Sequence, residues 1–96
     1  MTKADLIAKI SEETGLERNE VSRTVEYMME SIKSSLTNGQ NVYLRGFGSF
    51  VVRERKQKTG RNISKNTTII IPAHNIPSFK PAKVFVEQVK NKVKVK

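Results

Sequence analysis

Cysteine is absent from these 96 residues, and so is tryptophan. Without thiols there is neither a disulfide framework nor a thiolate metal site, so a chain this short must draw stability from elsewhere, and a second subunit is the expected source. Long apolar runs are missing as well. Nothing near the N-terminus has the core of a signal peptide and no stretch approaches the length of a bilayer span, so a cytoplasmic protein with no membrane partner is expected. The single histidine, His74, has no acidic pair or second soft ligand spaced to build a site around it. Serine, threonine and lysine are plentiful without forming a nucleophile–base pattern, so no enzyme, no cofactor and no metal are expected.

Acidic residues nearly vanish after residue 38. Residues 1–38 hold five basic residues (Lys3, Lys9, Arg18, Arg23, Lys33) against seven acids, net 5 − 7 = −2, whereas residues 39–96 hold thirteen against two, net +11, which sums to the formal charge of +9. Within one small domain that division reads as a scaffold half and a polyanion-facing half.

Thr2 and Asp5 have the spacing of a capping box, Leu6, Ile7 and Ile10 follow as an apolar stripe, and Gly15 suits a left-handed helix end. A helix over about 3–14 is predicted. Val21, Val25, Met28, Met29, Ile32 and Leu36 then recur at three- and four-residue spacing and stop before Gly39, predicting a second helix over about 18–37 whose start, at Glu17, lacks a good cap. Two helices joined around a glycine raise the question of a helix-turn-helix reader. From Glu17 to Asn38, however, there are four acids against three bases, the wrong face for phosphates. Val25, Met28, Met29, Ile32 and Leu36 are therefore read as core or subunit interface.

Beyond Gly39 the period changes to that of strands. Val42 to Leu44, Phe47 to Val52 and Ile69 to Ile71 are β-rich; Pro72, Pro77 and Pro81 should put the returning strand at an edge or interrupt it; and Lys83 to Val89 permits a short closing helix before a basic tail. Between the strands lies residues 53–65, with six basic residues (Arg53, Arg55, Lys56, Lys58, Arg61, Lys65) and one acid, Glu54. Such a stretch has almost nothing to bury, so its use must come from a polyanion. Alternation would set Arg53, Arg55, Gln57 and Thr59 on one side and Glu54, Lys56 and Lys58 on the other. The ten steps from Arg53 to Ile63 span about 33 Å at roughly 3.3 Å each. At Gly46, Phe47, Gly48, Ser49 and Phe50, the glycines permit a tight turn and close backbone approach to a phosphate, while Phe47, Phe50 and, later, Phe79 anchor the base in a core.

Taken together, Gly46 to Phe50, Arg53, Arg55, Gly60 to Asn62, Ile71 to Ala73 and Pro77 to Lys83 closely resemble the histone-like HU and integration host factor family of DNA-bending proteins, in register over nearly the whole chain. The resemblance implies an α+β fold: an N-terminal helical hairpin, a three-stranded antiparallel sheet with a long protruding β-ribbon arm, a short C-terminal helix, and an intertwined dimer. Residues 1–96 would form one domain, with a helical dimerisation body at 1–38, a β-saddle at 39–83 bearing an arm at about 53–71, and a helix and basic tail at 84–96.

The implied function is histone-like: a nucleoid-associated homodimer that binds double-stranded DNA in the minor groove with low sequence specificity, bending and compacting it. Lys3, Gly46, Gly48, Ser49, Arg53, Arg55, Lys58, Arg61, Asn62, Lys80 and Lys83 match DNA-facing positions. Ile63 stands where the family usually carries a proline wedge that kinks DNA; an apolar body suffices to unstack a base step. Asn66 and Ala82 replace two family glycines, which bears on kink depth more than on binding. Two alternatives stay open: one subunit of a sequence-selective heterodimer resembling integration host factor, or a basic protein of structured RNA or the ribosome. Against RNA, residues 53–71 contain no aromatic for base stacking.

Overall fold

The computed structural model describes residues 1–62 and 67–95, with backbone alone for 61, 62 and 67. Its contacts divide into two units, Met1–Ser35 and Leu36–Lys96.

In the first unit, α1 spans Lys3–Thr14 and α2 begins at Arg18, running on to Thr37. The bounds match the sequence reading because the stop signals are local. Thr2 Oγ1 accepts from the Asp5 amide at 3.1 Å and the Thr2 amide donates to Asp5 Oδ2 at 2.9 Å, completing the capping box. Gly15, at φ 76°, closes α1 by donating to the Ser11 carbonyl at 2.9 Å. Two apolar side chains, Ile7 and Val21, are buried among the described residues.

In the second unit, β1 (Val42–Leu44), β2 (Gly48–Arg55) and β5 (His74–Pro81) form an antiparallel sheet in the order β1-β2-β5. The central strand, expected over Phe47 to Val52, starts one residue later and runs three residues further, since β5 offers it a ladder partner as far as His74. Pro77 and Pro81 lie in β5, an edge strand, where a missing N–H is tolerated. Asn41 closes the short end of β1: its Oδ1 accepts from the Val52 amide at 2.9 Å, and its Nδ2 donates to Tyr43 Oη at 3.2 Å.

The ribbon is a second ladder, β3 (Lys58–Asn62) against β4 (Thr67–Ile71). Arg55 opposes His74 and Lys58 opposes Ile71. Two residues are therefore skipped on each side, Lys56 and Gln57 against Pro72 and Ala73. The break has a local cause, because Pro72 supplies no N–H for the ladder. Equal skips keep β3–β4 in step with β2–β5. His74 Nδ1 stands 3.0 Å from the Pro72 carbonyl oxygen at this point, a hydrogen bond in which the carbonyl accepts. After β5, α3 runs Lys83–Lys92, beginning where the sequence pattern allows a closing helix and continuing past Val89.

Candidate nucleic-acid interface

Antiparallel pairing divides the sheet into two sides. Residues directly opposite each other share a face, so Leu44, Gly48, Phe50 and Val52 stand with Phe79, Pro77 and Pro81, while Tyr43, Ser49, Val51, Arg53 and Arg55 stand with Lys80, Ser78, Ile76 and His74. The first face is aromatic. Phe79 packs on Phe50 at 4.9 Å between ring centroids and on Phe47 at 5.2 Å, and Phe47 stacks on Phe85 of α3 at 5.6 Å. The second is polar and basic, with Arg53, Arg55, Lys80 and His74 all exposed.

The turn between β1 and β2 is set by Gly46. The Phe47 amide donates to the Leu44 carbonyl at 3.0 Å, and Gly46, third of the four turn residues, sits at φ 80° with open space around it. That is the position where a type II turn requires positive φ. Gly48 serves differently. It is buried, and a Cβ there would stand 2.6 Å from the Phe79 ring and 2.6 Å from the Lys80 carbonyl oxygen. Its small size thus has a packing reason on the aromatic side, beyond the phosphate approach read from the sequence.

Of the other predicted residues, Ser49 is half-buried beside Lys80 in the ladder, and Lys83 is exposed at the start of α3. Lys58 is exposed opposite Ile71; Arg61 and Asn62 pair with Thr68 and Thr67. Ile63 and Asn66 lie outside the described residues. Lys3 belongs to the first unit, where its Nζ is paired with the Glu26 carboxylate. Both partners are substantially exposed, so the pair contributes little stability and a phosphate can compete for the ammonium.

The residues read as interface or core are only partly covered. Val25, Ile32, Leu36 and Phe50 are half-buried, and Met28, Met29, Phe47 and Phe79 remain between 37% and 50% exposed. Phe79, Pro81, Phe85, Val86 and Val89 line an apolar groove of about 310 Å³. Two residues that the sequence reading placed in strands without a functional role also stand out: Tyr43, 70% exposed opposite Ser49 on the basic side, and Ile70, 63% exposed opposite Thr59 on the ribbon. The side on which Tyr43 stands is known only from its pairing with Ser49.

The model of the family described as "Bacterial DNA-binding protein" matches residues 1–90. The chain is 42% identical over 92 residues to the SPbeta prophage-derived DNA-binding protein HU 2 of Bacillus subtilis, covering 96% of this chain and all of that protein. To DNA-binding protein HU of Thermus thermophilus it is 40% identical over 90 residues, 94% of this chain and 93% of the relative. Among solved structures, an Anabaena HU–DNA cocrystal superposes with a TM-score of 0.88 at 35% identity, covering 93% of this chain and 97% of the other. HU from Thermotoga maritima gives 0.66 at 26% identity, covering 93% and 98%.

Proposed function

This chain belongs to the bacterial DNA-binding protein family, the family of HU, whose members are structural proteins and not enzymes, and we propose that it is a dimeric architectural protein that bends duplex DNA. The observation that carries this reading is the single register of the two ladders. It leads from β2, with exposed Arg53 and Arg55, into a two-stranded ribbon that carries Lys58. A ribbon with no core of its own can lie in a groove, where Arg53, Arg55, Lys58 and Arg61 neutralise phosphates and Asn62 hydrogen-bonds near the tip. Lys80 and Lys83 hold the flanks, Gly46, Gly48 and Ser49 shape the saddle, and Lys3 of the first unit supplies a further cation.

In the minor groove A·T and T·A pairs present the same acceptors, so base readout is weak and site choice follows deformability. Ile63 is the wedge, unstacking a base step while the arms supply attraction. The dimer follows from exposure: with only Ile7 and Val21 buried among the described residues, the half-covered Met28, Met29, Phe47 and Phe79 need a second copy to exclude water. Bound to chromosomal DNA, the protein would reside in the nucleoid.

The test is a gel-shift comparison of linear, nicked and pre-bent duplexes of one sequence. Tighter binding to the nicked and pre-bent forms is expected, because their deformation is already made. Equal affinity for all three would remove bending from the reading, and preference for structured RNA over every duplex would remove DNA as the partner.

A further inference from the structure

Pairing across the three-stranded sheet lines up Tyr43, Ser49 and Lys80, one from each of β1, β2 and β5, on the side that carries Arg53 and Arg55. Strands lie about 4.8 Å apart, so the row reaches across about 10 Å and offers a phenol, an alcohol and an ammonium, all hydrogen-bond donors. Tyr43, on the edge strand, is the largest of the three and is well exposed. Its hydroxyl is nonetheless held. Asn41 Oδ1 accepts from the Val52 amide at 2.9 Å, and because a backbone N–H can only donate, the other arm of the Asn41 side chain is Nδ2, which donates to Tyr43 Oη at 3.2 Å. The phenol oxygen thus already accepts, and its own proton has no acceptor among the described residues.

We infer that Tyr43 is a phosphate-binding residue of the DNA interface, whose hydroxyl donates to a backbone phosphate oxygen while Asn41 holds the phenol in place. The inference rests on Arg53 and Lys80 meeting duplex DNA as proposed above. Phosphate oxygens only accept, and the bond from Asn41 leaves Tyr43 its proton to offer outward. A hydrogen bond to an ionised acceptor is the stronger kind, and a hydroxyl that already accepts one bond is polarised toward giving another. The aromatic ring has no packing task to compete with this, because Phe50 and Phe79 form their cluster on the opposite side of the sheet. Tyr43 and Lys80 then contribute in different ways. An ammonium on a phosphate displaces counterions, so its contribution fades as salt rises, whereas a neutral hydroxyl displaces none. Tyr43 therefore supplies affinity that salt does not remove.

The experiment uses the full-length protein and two nicked DNA duplexes, one A·T-rich and one G·C-rich, titrated at several salt concentrations with wild type, Tyr43→Phe, Asn41→Asp and the double variant. Tyr43→Phe should weaken binding about tenfold or more, alike on both duplexes, and leave the salt slope unchanged. Asn41→Asp keeps an acceptor for the Val52 amide but replaces the donor facing Tyr43 with a second acceptor, which turns the phenol proton inward. It also adds a negative charge, whose effect alone is read in the Tyr43→Phe background. Asn41→Asp should therefore cost several-fold more affinity when Tyr43 is present than when it is replaced. Wild-type affinity in Tyr43→Phe, a loss confined to one duplex, a flattened salt slope, or an equal cost of Asn41→Asp in both backgrounds would each overturn the inference while salt-dependent DNA binding persists. Absence of salt-dependent duplex binding by wild type would instead overturn the DNA-binding reading, and this inference with it.

Discussion

Gly48 lies under the ring of Phe79, so that a Cβ at residue 48 would meet the ring carbons and the Lys80 carbonyl oxygen, all at 2.6 Å. The backbone oxygen cannot swing aside as a side chain does, so relief would require β2 and β5 to separate where they hold the aromatic cluster. Gly48→Ala is therefore expected to destabilise the protein by about 1–3 kcal/mol. A denaturant titration measures it, and an unchanged midpoint would show that the sheet gives way freely.

Gly46 provides the contrast. Its constraint is the backbone angle alone, with nothing near its missing Cβ. Asparagine tolerates positive φ far better than β-branched residues do, so Gly46→Asn should lower stability by less than about 1 kcal/mol and Gly46→Val by more. At position 48 asparagine should be as damaging as alanine or worse, because the obstacle there is volume. Thermal melts of the paired variants distinguish the two causes.

Asp5 should make stability depend on acid pH. The Thr2 amide, then the Thr2 hydroxyl, holds its carboxyl below the ordinary value of 3.8. A depressed carboxylate contributes stability that is present above its unfolded value and is lost as pH falls through the lower folded one. Wild type should therefore melt above Asp5→Ala at neutral pH, with the gap narrowing once pH drops below about 4. A gap that stays constant to acid pH would mean that the carboxylate charge plays no part in the cap.

Arg53→Ala and Arg55→Ala should weaken DNA binding and flatten the logarithmic salt slope. Each substitution removes two contacts from a dimer, so each should reduce the slope by about 1.8 at 0.9 per phosphate. Titration at several salt concentrations reads this directly. Lower affinity with an unchanged slope would place the arginine in a structural role.

Ile63→Ala should separate attraction from kinking. Most of the salt-dependent affinity should survive, while the bend measured by fluorescence energy transfer between labelled duplex ends decreases, because the wedge acts on base stacking and not on phosphate charge. An unchanged angle would remove Ile63 from the mechanism.

Both long helices were legible in the chain from end to end. Their limits are written in near neighbours, Thr2 with Asp5 at one end of α1 and Gly15 at the other, and in the three- and four-residue recurrence from Val21 to Leu36. The family was legible too, because the stretch from Gly46 to Lys83 keeps a distinctive order of glycine, aromatic, basic and proline residues. The interruption of the returning strand at Pro72 was legible as well, but which residues of the outgoing strand it would release was not. Lys56 and Gln57 lie across the ladder from Pro72 and Ala73 and are identified only once the strands are paired.

What the sequence determined by itself is therefore whatever depends on residues close along the chain: helix ends, turn glycines, the lopsided charge and the strands' apolar character. Tertiary structure alone decided which residues of different strands share a side. Pairing set Arg53, Arg55 and Lys80 against the side of Phe50 and Phe79, gave Gly48 a packing role, and left Ile70 exposed opposite Thr59. The physical reason is that side chains alternate along a strand, so a one-residue change of register exchanges the two faces. Register depends on contacts between residues far apart in sequence.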